Sequence, residues 1–106
     1  MIAKTPQPPY YAVIFTSVRT NIDQGYKVMS DKMEKLAKTQ NGFLGMESAS
    51  SKIGVTISYW KNLEAIKEWK NHSQHLVAQE LGKKQWYKSF KTRICKVEKD
   101  YEFNKL

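Results

Sequence analysis

The sequence predicts an α+β fold with the order β-α-β-β-α-β, a split β-α-β arrangement with both helices on one face of a four-stranded antiparallel sheet. Three observations carry this. Apolar residues alternate with period two near residues 10–19 and 53–60. They recur at spacings of three and four from Ile22 to Ala37 and again from Leu63 to Trp69. The stretch Tyr10 to Arg19 is apolar on both faces, as a central strand covered from two sides must be.

Residues 1–9 hold all three prolines and no apolar period, and read as an extended lead-in that pairs weakly or not at all. Tyr10 to Arg19 is the first strand, with Ala12, Ile14 and Val18 on one face and Tyr11, Val13 and Phe15 on the other. One layer of helices covers only one of these faces, so the other calls for a partner subunit. Asn21 and Gln24 have capping-box spacing, and Ile22, Tyr26, Met29, Met33, Leu36 and Ala37 then mark an amphipathic helix of about four turns. On that helix Asp31 and Lys35, and Glu34 and Lys38, stand four residues apart, the spacing of surface pairs. Asn41-Gly42 ends it, since either residue tolerates positive φ.

Phe43 to Ala49 is the second strand and Ser50-Ser51-Lys52 the turn into the third, where Ile53, Val55, Ile57 and Tyr59 alternate with Gly54, Thr56, Ser58 and Trp60. Asn62 suits a helix N-cap. Leu63, Ile66 and Trp69 follow on an inward stripe, and a second helical piece, Gln74 to Leu81, places Leu76, Val77 and Leu81 inward. Gly82 breaks this helix, and Lys83 to Phe90 forms a short helical or irregular piece. The last strand runs from Thr92 to about Phe103, with Ile94, Cys95 and Val97 buried. Residues 10–103 thus form a single domain, and 104–106 a C-terminal tail.

Composition narrows the function classes. Hydrophobic residues make up 41% of the chain, enough for a packed core. No apolar run approaches the roughly 20 residues needed to cross a bilayer, so no membrane partner is expected. The single Cys95 forms no intrachain disulfide, which fits a cytoplasmic protein. Net charge is +8, but only two of the 18 basic residues are Arg, the side chain that phosphate and base recognition favour. The segment Lys83 to Lys99 is more one-sided, with seven basic residues against Glu98, and reads as a solvated face or an anion-attracting one. Nucleic acid is not an expected partner.

No metal motif, phosphate loop, nucleophile elbow or dinucleotide fingerprint is present. What stands out is an aromatic group, Tyr59, Trp60, Trp69, Trp86, Tyr87 and Phe90, with His72 and His75 close in sequence. Aromatic faces supply area for a flat ligand, and a histidine supplies a proton acceptor near neutral pH. Met29 and Met33 pack the core of their helix and can also line a pocket.

Gly42-Phe43-Leu44-Gly45-Met46-Glu47-Ser48 resembles a conserved segment of the antibiotic-biosynthesis monooxygenase (ABM) domain family. So does Ile57-Ser-Tyr-Trp-Lys-Asn-Leu-Glu-Ala-Ile-Lys-Glu-Trp69, a strand, a Trp and a helix with a second Trp nine residues on. His72-Ser73-Gln74-His75 and Trp86-Tyr87 resemble a bacterial branch of that family whose function is mostly unassigned. The resemblance covers about residues 10–103. It implies a ferredoxin-like subunit that pairs as a homodimer into a dimeric α+β barrel. It also implies a cofactor-independent monooxygenase acting on an aromatic or quinone-like small molecule, with His75 or His72 as base or orienting donor and Tyr87 as hydrogen-bonding partner. Trp60, Trp69, Trp86, Tyr59, Phe15, Met29 and Met33 would line the substrate pocket. No cofactor is expected on this reading. Heme binding or degradation is the alternative, together with a non-catalytic small-molecule-binding module. The heme-degrading pattern needs an Asn on the first strand and a His ten residues after the second Trp. This chain has no Asn from Tyr10 to Thr20, and Gln79 stands ten residues after Trp69, so His75 or His72 would have to substitute.

Overall fold

The central strand, β1 (Tyr10–Arg19), pairs antiparallel with β3 (Gly54–Trp60) on one side and β4 (Tyr87–Val97) on the other. β2 (Phe43–Ser50) completes the sheet on the outer side of β3, giving the order β2-β3-β1-β4. The helix α1 (Tyr26–Lys38) links β1 to β2, and α2 (Leu63–Lys70) and α3 (Ser73–Leu81) link β3 to β4 through a π-helical turn at Gly82–Trp86. This is the ferredoxin-like α+β fold that the sequence predicts. The computed structural model describes residues 1–105, with Ser73 described by its backbone alone, and Leu106 of the expected 104–106 tail lies outside the described residues. No helix among them is long and apolar enough to cross a membrane.

Strand alternation sorts the sheet into two faces. Tyr11, Val13, Phe15 and Ser17 share the helix-covered face with Trp60, Ser58, Thr56 and Gly54, their register partners on β3. Ala12, Ile14 and Thr16 share the other face with Tyr59, Ile57 and Val55, and with Cys95, Arg93 and Lys91 of β4. The core gathers on the helix side around Trp60, which is 0% exposed and packs with Ala65, Ile66, Tyr11, Val13, Phe43 and Trp69. Asn62 caps α2 as expected, its side-chain oxygen accepting from the Ala65 amide at 2.8 Å.

Several expectations are corrected. The capping box at Asn21 and Gln24 does not form: α1 begins at Tyr26, after Gly25 in a left-handed conformation, and Ile22 stays exposed ahead of it. Asp31 pairs backward with Lys27 at 3.5 Å rather than with Lys35, whereas Glu34 and Lys38 meet at 3.5 Å. Leu63, Leu76 and Val77 are exposed. The inner side of α2 is instead formed by Ala65, Ile66 and Trp69, which pack with Trp60. Gly82 continues the helix in right-handed conformation rather than breaking it. Its lack of a side chain serves packing, since a Cβ there would lie 2.9 Å from the Tyr87 ring. β4 starts five residues earlier than expected and stops at Val97, and both Ile94 and Cys95 are exposed on this edge strand.

The lead-in is also more firmly held than its prolines suggest. It forms no strand, but the Ala3 amide donates to Glu47 Oε2 at 2.9 Å, and Thr5 Oγ1 donates to the Tyr10 hydroxyl at 3.0 Å. It therefore crosses part of the face opposite the helices, with Ala3 against Gly45.

Gly42 joins the end of α1 to β2 at φ +84°, and a Cβ there would stand 2.6 Å from the Ala65 Cβ. Its carbonyl also accepts the Lys61 amide at 2.7 Å, so the loop cannot shift freely. Gly42→Ala combines left-handed strain with overpacking and should cost about 2 kcal/mol. For a chain of this size, a drop in thermal midpoint of roughly 10 °C is the expected readout.

Candidate functional site

Both histidines lie at the joint between α2 and α3, and the joint gives them different roles. His72 is the N-cap of α3: its Nδ1 accepts from the Gln74 amide at 3.2 Å, and its carbonyl from the Leu76 amide. A nitrogen engaged in capping is not available to take a substrate proton, so His72 reads as a structural residue. His75 lies one turn later on the inner side, half-buried, its ring stacked on Trp69 with centroids 4.4 Å apart.

The His75 ring is fixed by a second contact. α2 ends at Lys70, so the Trp69 carbonyl accepts the His72 amide at 3.1 Å in a tightened last turn, and His75 Nδ1 sits 2.9 Å from the same oxygen. A carbonyl only accepts, so Nδ1 carries the proton and Nε2 keeps the lone pair. Nε2 has no partner among the described residues. Burial lowers the imidazole pKa below 6.5, as do the nearby His72 and Lys70, while the bond to the Trp69 carbonyl opposes them. At neutral pH His75 is therefore a neutral, oriented acceptor.

Trp69 passes this order to the core, stacking on Trp60 at 6.1 Å, and Phe43 meets Trp60 edge-on at 5.4 Å. Trp60 Nε1 donates to Ser58 Oγ at 2.9 Å on the sheet floor. His75, Trp69 and Trp60 thus stand in one continuous stack.

Trp86, Tyr87 and Phe15 belong to a second cluster. Phe15 contacts Tyr87 and Phe90 at 5.4 and 5.2 Å, and Tyr26 packs edge-on against Trp86 and Tyr87 at 5.7 and 6.1 Å. Trp86 is buried and donates from Nε1 to the Gln24 carbonyl at 3.1 Å. Burial raises the Tyr87 pKa, reinforced by its neighbour Tyr26, so the hydroxyl stays protonated and can donate. Phe15 lies four residues along β1 from Tyr11, the register partner of Trp60, which separates the two clusters by about 13 Å of sheet. Between them the helix-facing floor carries Val13 and Ser58, with Thr56 beside Phe15 and Ser17 beyond it. His75 on α3 and Gly82, the first residue of the π turn, are seven residues and about 10 Å apart, with the Tyr87 ring against Gly82. Met29 and Met33 lie half-buried on the inner side of α1.

Tyr59 does not belong with these residues. Adjacent strand residues point oppositely, so Tyr59 faces away from the helices, where its hydroxyl donates to Glu47 Oε1 at 2.6 Å. That bond, with the Ala3 amide, lowers the Glu47 pKa, while burial first and the bond to Glu47 second raise that of Tyr59.

Arg19 and Tyr26 escape the sequence reading. The Arg19 guanidinium lies 3.3 Å from the Tyr26 ring centroid and donates to the Trp86 and Ile22 carbonyls and to Asp23. A usable signal existed, since Arg19 is one of only two arginines among 18 basic residues. One depression lies along β1 and β4, with Phe90 of the second cluster in its lining, and another lies by Asn41, Lys61 and Glu64. No group of three or more metal-binding side chains gathers among the described residues.

The comparisons with known proteins bear on the fold and the family. No family model matches the chain. It is 44% identical over 104 residues to the uncharacterized protein YqjZ of Bacillus subtilis, a match spanning 96% of this chain and 91% of that one. Among solved structures, SnoaB, a cofactor-independent oxygenase from Streptomyces nogalater, superposes with a TM-score of 0.70 at 8% identity, covering 92% of this chain and all of that one. A Nitrosomonas europaea protein provisionally assigned as an antibiotic biosynthesis monooxygenase gives 0.69 at 14% identity over 87% and 92%. Protein SO0527 of Shewanella oneidensis gives 0.74 at 9% identity over 91% and 97%. The chain belongs to the family of Bacillus subtilis YqjZ, and its fold is that of the antibiotic biosynthesis monooxygenases.

Proposed function

We propose that this protein is a cytoplasmic, cofactor-independent oxygenase that works as a homodimer on an aromatic or quinone-like small molecule held between the helices and the sheet. The observation that carries the reading is His75: an imidazole kept neutral by burial, with Nδ1 on the Trp69 carbonyl and Nε2 left as the acceptor. Nε2 takes a proton from an electron-rich phenolic substrate. The resulting carbanion adds O2 at a ring methylene, and loss of water from that hydroperoxide leaves a carbonyl. The peroxide takes its proton back from the imidazolium, one oxygen atom enters the product, the other leaves as water, and the methylene carbon, oxidised to a carbonyl, supplies all four electrons. Tyr87, held protonated at the other end of α3, donates a hydrogen bond to the substrate oxygen. The fold shared with SnoaB supports this chemistry by analogy.

The homodimer follows from the sheet. Ile14, Ile57 and Val55 form an apolar centre on the face away from the helices, and the lead-in crosses only the part near Gly45 and Glu47. A second copy covers such a face with an interface above roughly 1,000 Å².

Heme is the second reading, favoured by the same feature: an imidazole whose other nitrogen is tied to a carbonyl is the arrangement in which histidine holds a metal. Gln79, at the position the family pattern gives to the heme ligand, lies half-buried on α3 and lacks an imidazole. One experiment separates the readings. Oxygen uptake is measured with a panel of hydroquinones and anthrone-like phenols, alongside a heme titration followed in the Soret band. Uptake with water as the reduced product, and weak heme binding, is the expected result. Stoichiometric heme binding that His75→Ala removes would favour the second reading. Ligand binding without uptake would leave a binding module.

A further inference from the structure

β4 carries cations that the subunit leaves unmatched. Lys91 and Arg93 project from the face opposite the helices, beside Thr16 and Ser89, and with Val18 line an open depression of about 270 Å³. Neither forms an ion pair among the described residues, where the pairs are Arg19–Asp23, Lys27–Asp31 and Lys38–Glu34.

The complementary charge lies beyond the far end of the same strand. Glu98, Asp100 and Glu102 alternate with Lys99, Tyr101 and Phe103, the period-two pattern that predicts a strand as far as Phe103. Yet β4 stops at Val97, and Tyr101 and Phe103 stand 99% and 85% exposed. This segment has strand alternation, with three carboxylates on one side and two bare aromatic rings on the other, and among the described residues of its own subunit only Asp100 finds a side-chain partner, the Tyr10 hydroxyl. The segment cannot reach its own depression either. Asp100 is tied to the Tyr10 hydroxyl at the start of β1, and Thr16 lies six residues, about 20 Å, further along. From Asp100 to Glu102 the chain extends only about 7 Å.

We infer that residues 98–103 form an arm that docks on the Lys91–Arg93 depression of a second copy of this chain. The inference rests on the proposed homodimer and adds how the two copies are fastened. An extended arm laid between two facing sheets is covered on both sides, its carboxylates matched by the cations and its rings by the apolar face. Two-fold symmetry makes the exchange reciprocal.

The test uses the full chain in sedimentation velocity across a range of concentration and salt. Lys91→Glu with Arg93→Glu reverses the depression, and Glu98→Lys with Glu102→Lys reverses the arm. Asp100 is left alone because it holds Tyr10. All four positions are exposed, and circular dichroism checks that each variant is folded. Either double reversal should weaken the dimer tenfold or more, and the chain carrying both should return to within about threefold of wild type. A dimer indifferent to both reversals, or a combined chain as weak as either, overturns the arm and leaves the homodimer standing. Depression variants that lose binding of inorganic phosphate but dimerise normally would make it a site for free anions and overturn the arm equally. A wild-type chain that stays monomeric overturns both.

Discussion

His75→Ala should lower turnover of a phenolic substrate by about 10²-fold or more, while the chain keeps its fold. The effect is large because nothing else near the Trp60–Trp69 cluster can take the proton. His72 is engaged as the cap of α3, and Glu64 and Glu68 lie exposed by the Asn41–Lys61 depression. His72→Ala is therefore the matched control. It should cost roughly 1 kcal/mol of stability through the lost cap and leave turnover unchanged. A pH profile sharpens the assignment. Burial holds the His75 pKa below 6.5, so activity that needs its free base should stay level through neutrality and fall only below that value. Stability follows the same sign. The unfolded chain binds a proton near pH 6.5 that the folded chain resists, so the folded state keeps its full advantage above 6.5 and loses it as pH falls toward the folded pKa. In His75→Ala both acid limbs should vanish. Unchanged turnover in both histidine variants would remove the base from the mechanism and leave the binding module.

How far the sequence discloses this site depends on which physical signal each residue gives. The strands were legible because alternation survives in any context, and β1 was legible as central because both its faces are apolar. Alternation does not say which face the helices cover. On β3 the apolar set Val55, Ile57 and Tyr59 turns away from the helices, and Trp60 lies under them with Ser58 and Thr56. Strands that are apolar on both faces give no polar face to mark the outside. The start of β4 was hidden for another reason: the π turn at Gly82–Trp86 keeps the chain helical up to Tyr87, and its lysine-rich sequence resembles a loop. The aromatic residues looked like one group because they are close in sequence, and only the register of β1 shows that Trp60 and Phe15 sit at different ends. His72 and His75 were indistinguishable until the break at Asn71 fixed which one caps a helix and which one turns inward.

Trp60→Ala should be the most destabilising single change outside the backbone, costing about 3–5 kcal/mol. The indole is completely buried, meets Phe43 edge-on and Trp69 in a stack, and touches both the sheet and α2. Few other large side chains can share this load, because the buried residues of α1 and α2 are mainly alanines, with Ile66 the largest. The cavity left by the indole would be walled by Tyr11, Phe43, Ile66 and Trp69, whose rings and branched chain are fixed to the sheet and α2 and cannot simply collapse into it. The total stability of a domain this size is on the order of 5–15 kcal/mol, so the variant should unfold at a much lower denaturant midpoint. Trp60→Phe separates packing from polarity. It keeps a ring against Phe43 and Trp69 but removes the indole N–H that Ser58 accepts, and should cost about 1–2 kcal/mol. Urea titrations of the two variants, read by circular dichroism, supply both values. The consequence for the site is specific: Trp69 rests on Trp60, and His75 rests on Trp69. Trp60→Phe should therefore loosen the imidazole and lower turnover while most of the fold's stability is retained. If Trp60→Ala costs less than about 1 kcal/mol, the helix layer is held elsewhere, and the stack that orients His75 is not what keeps it in place.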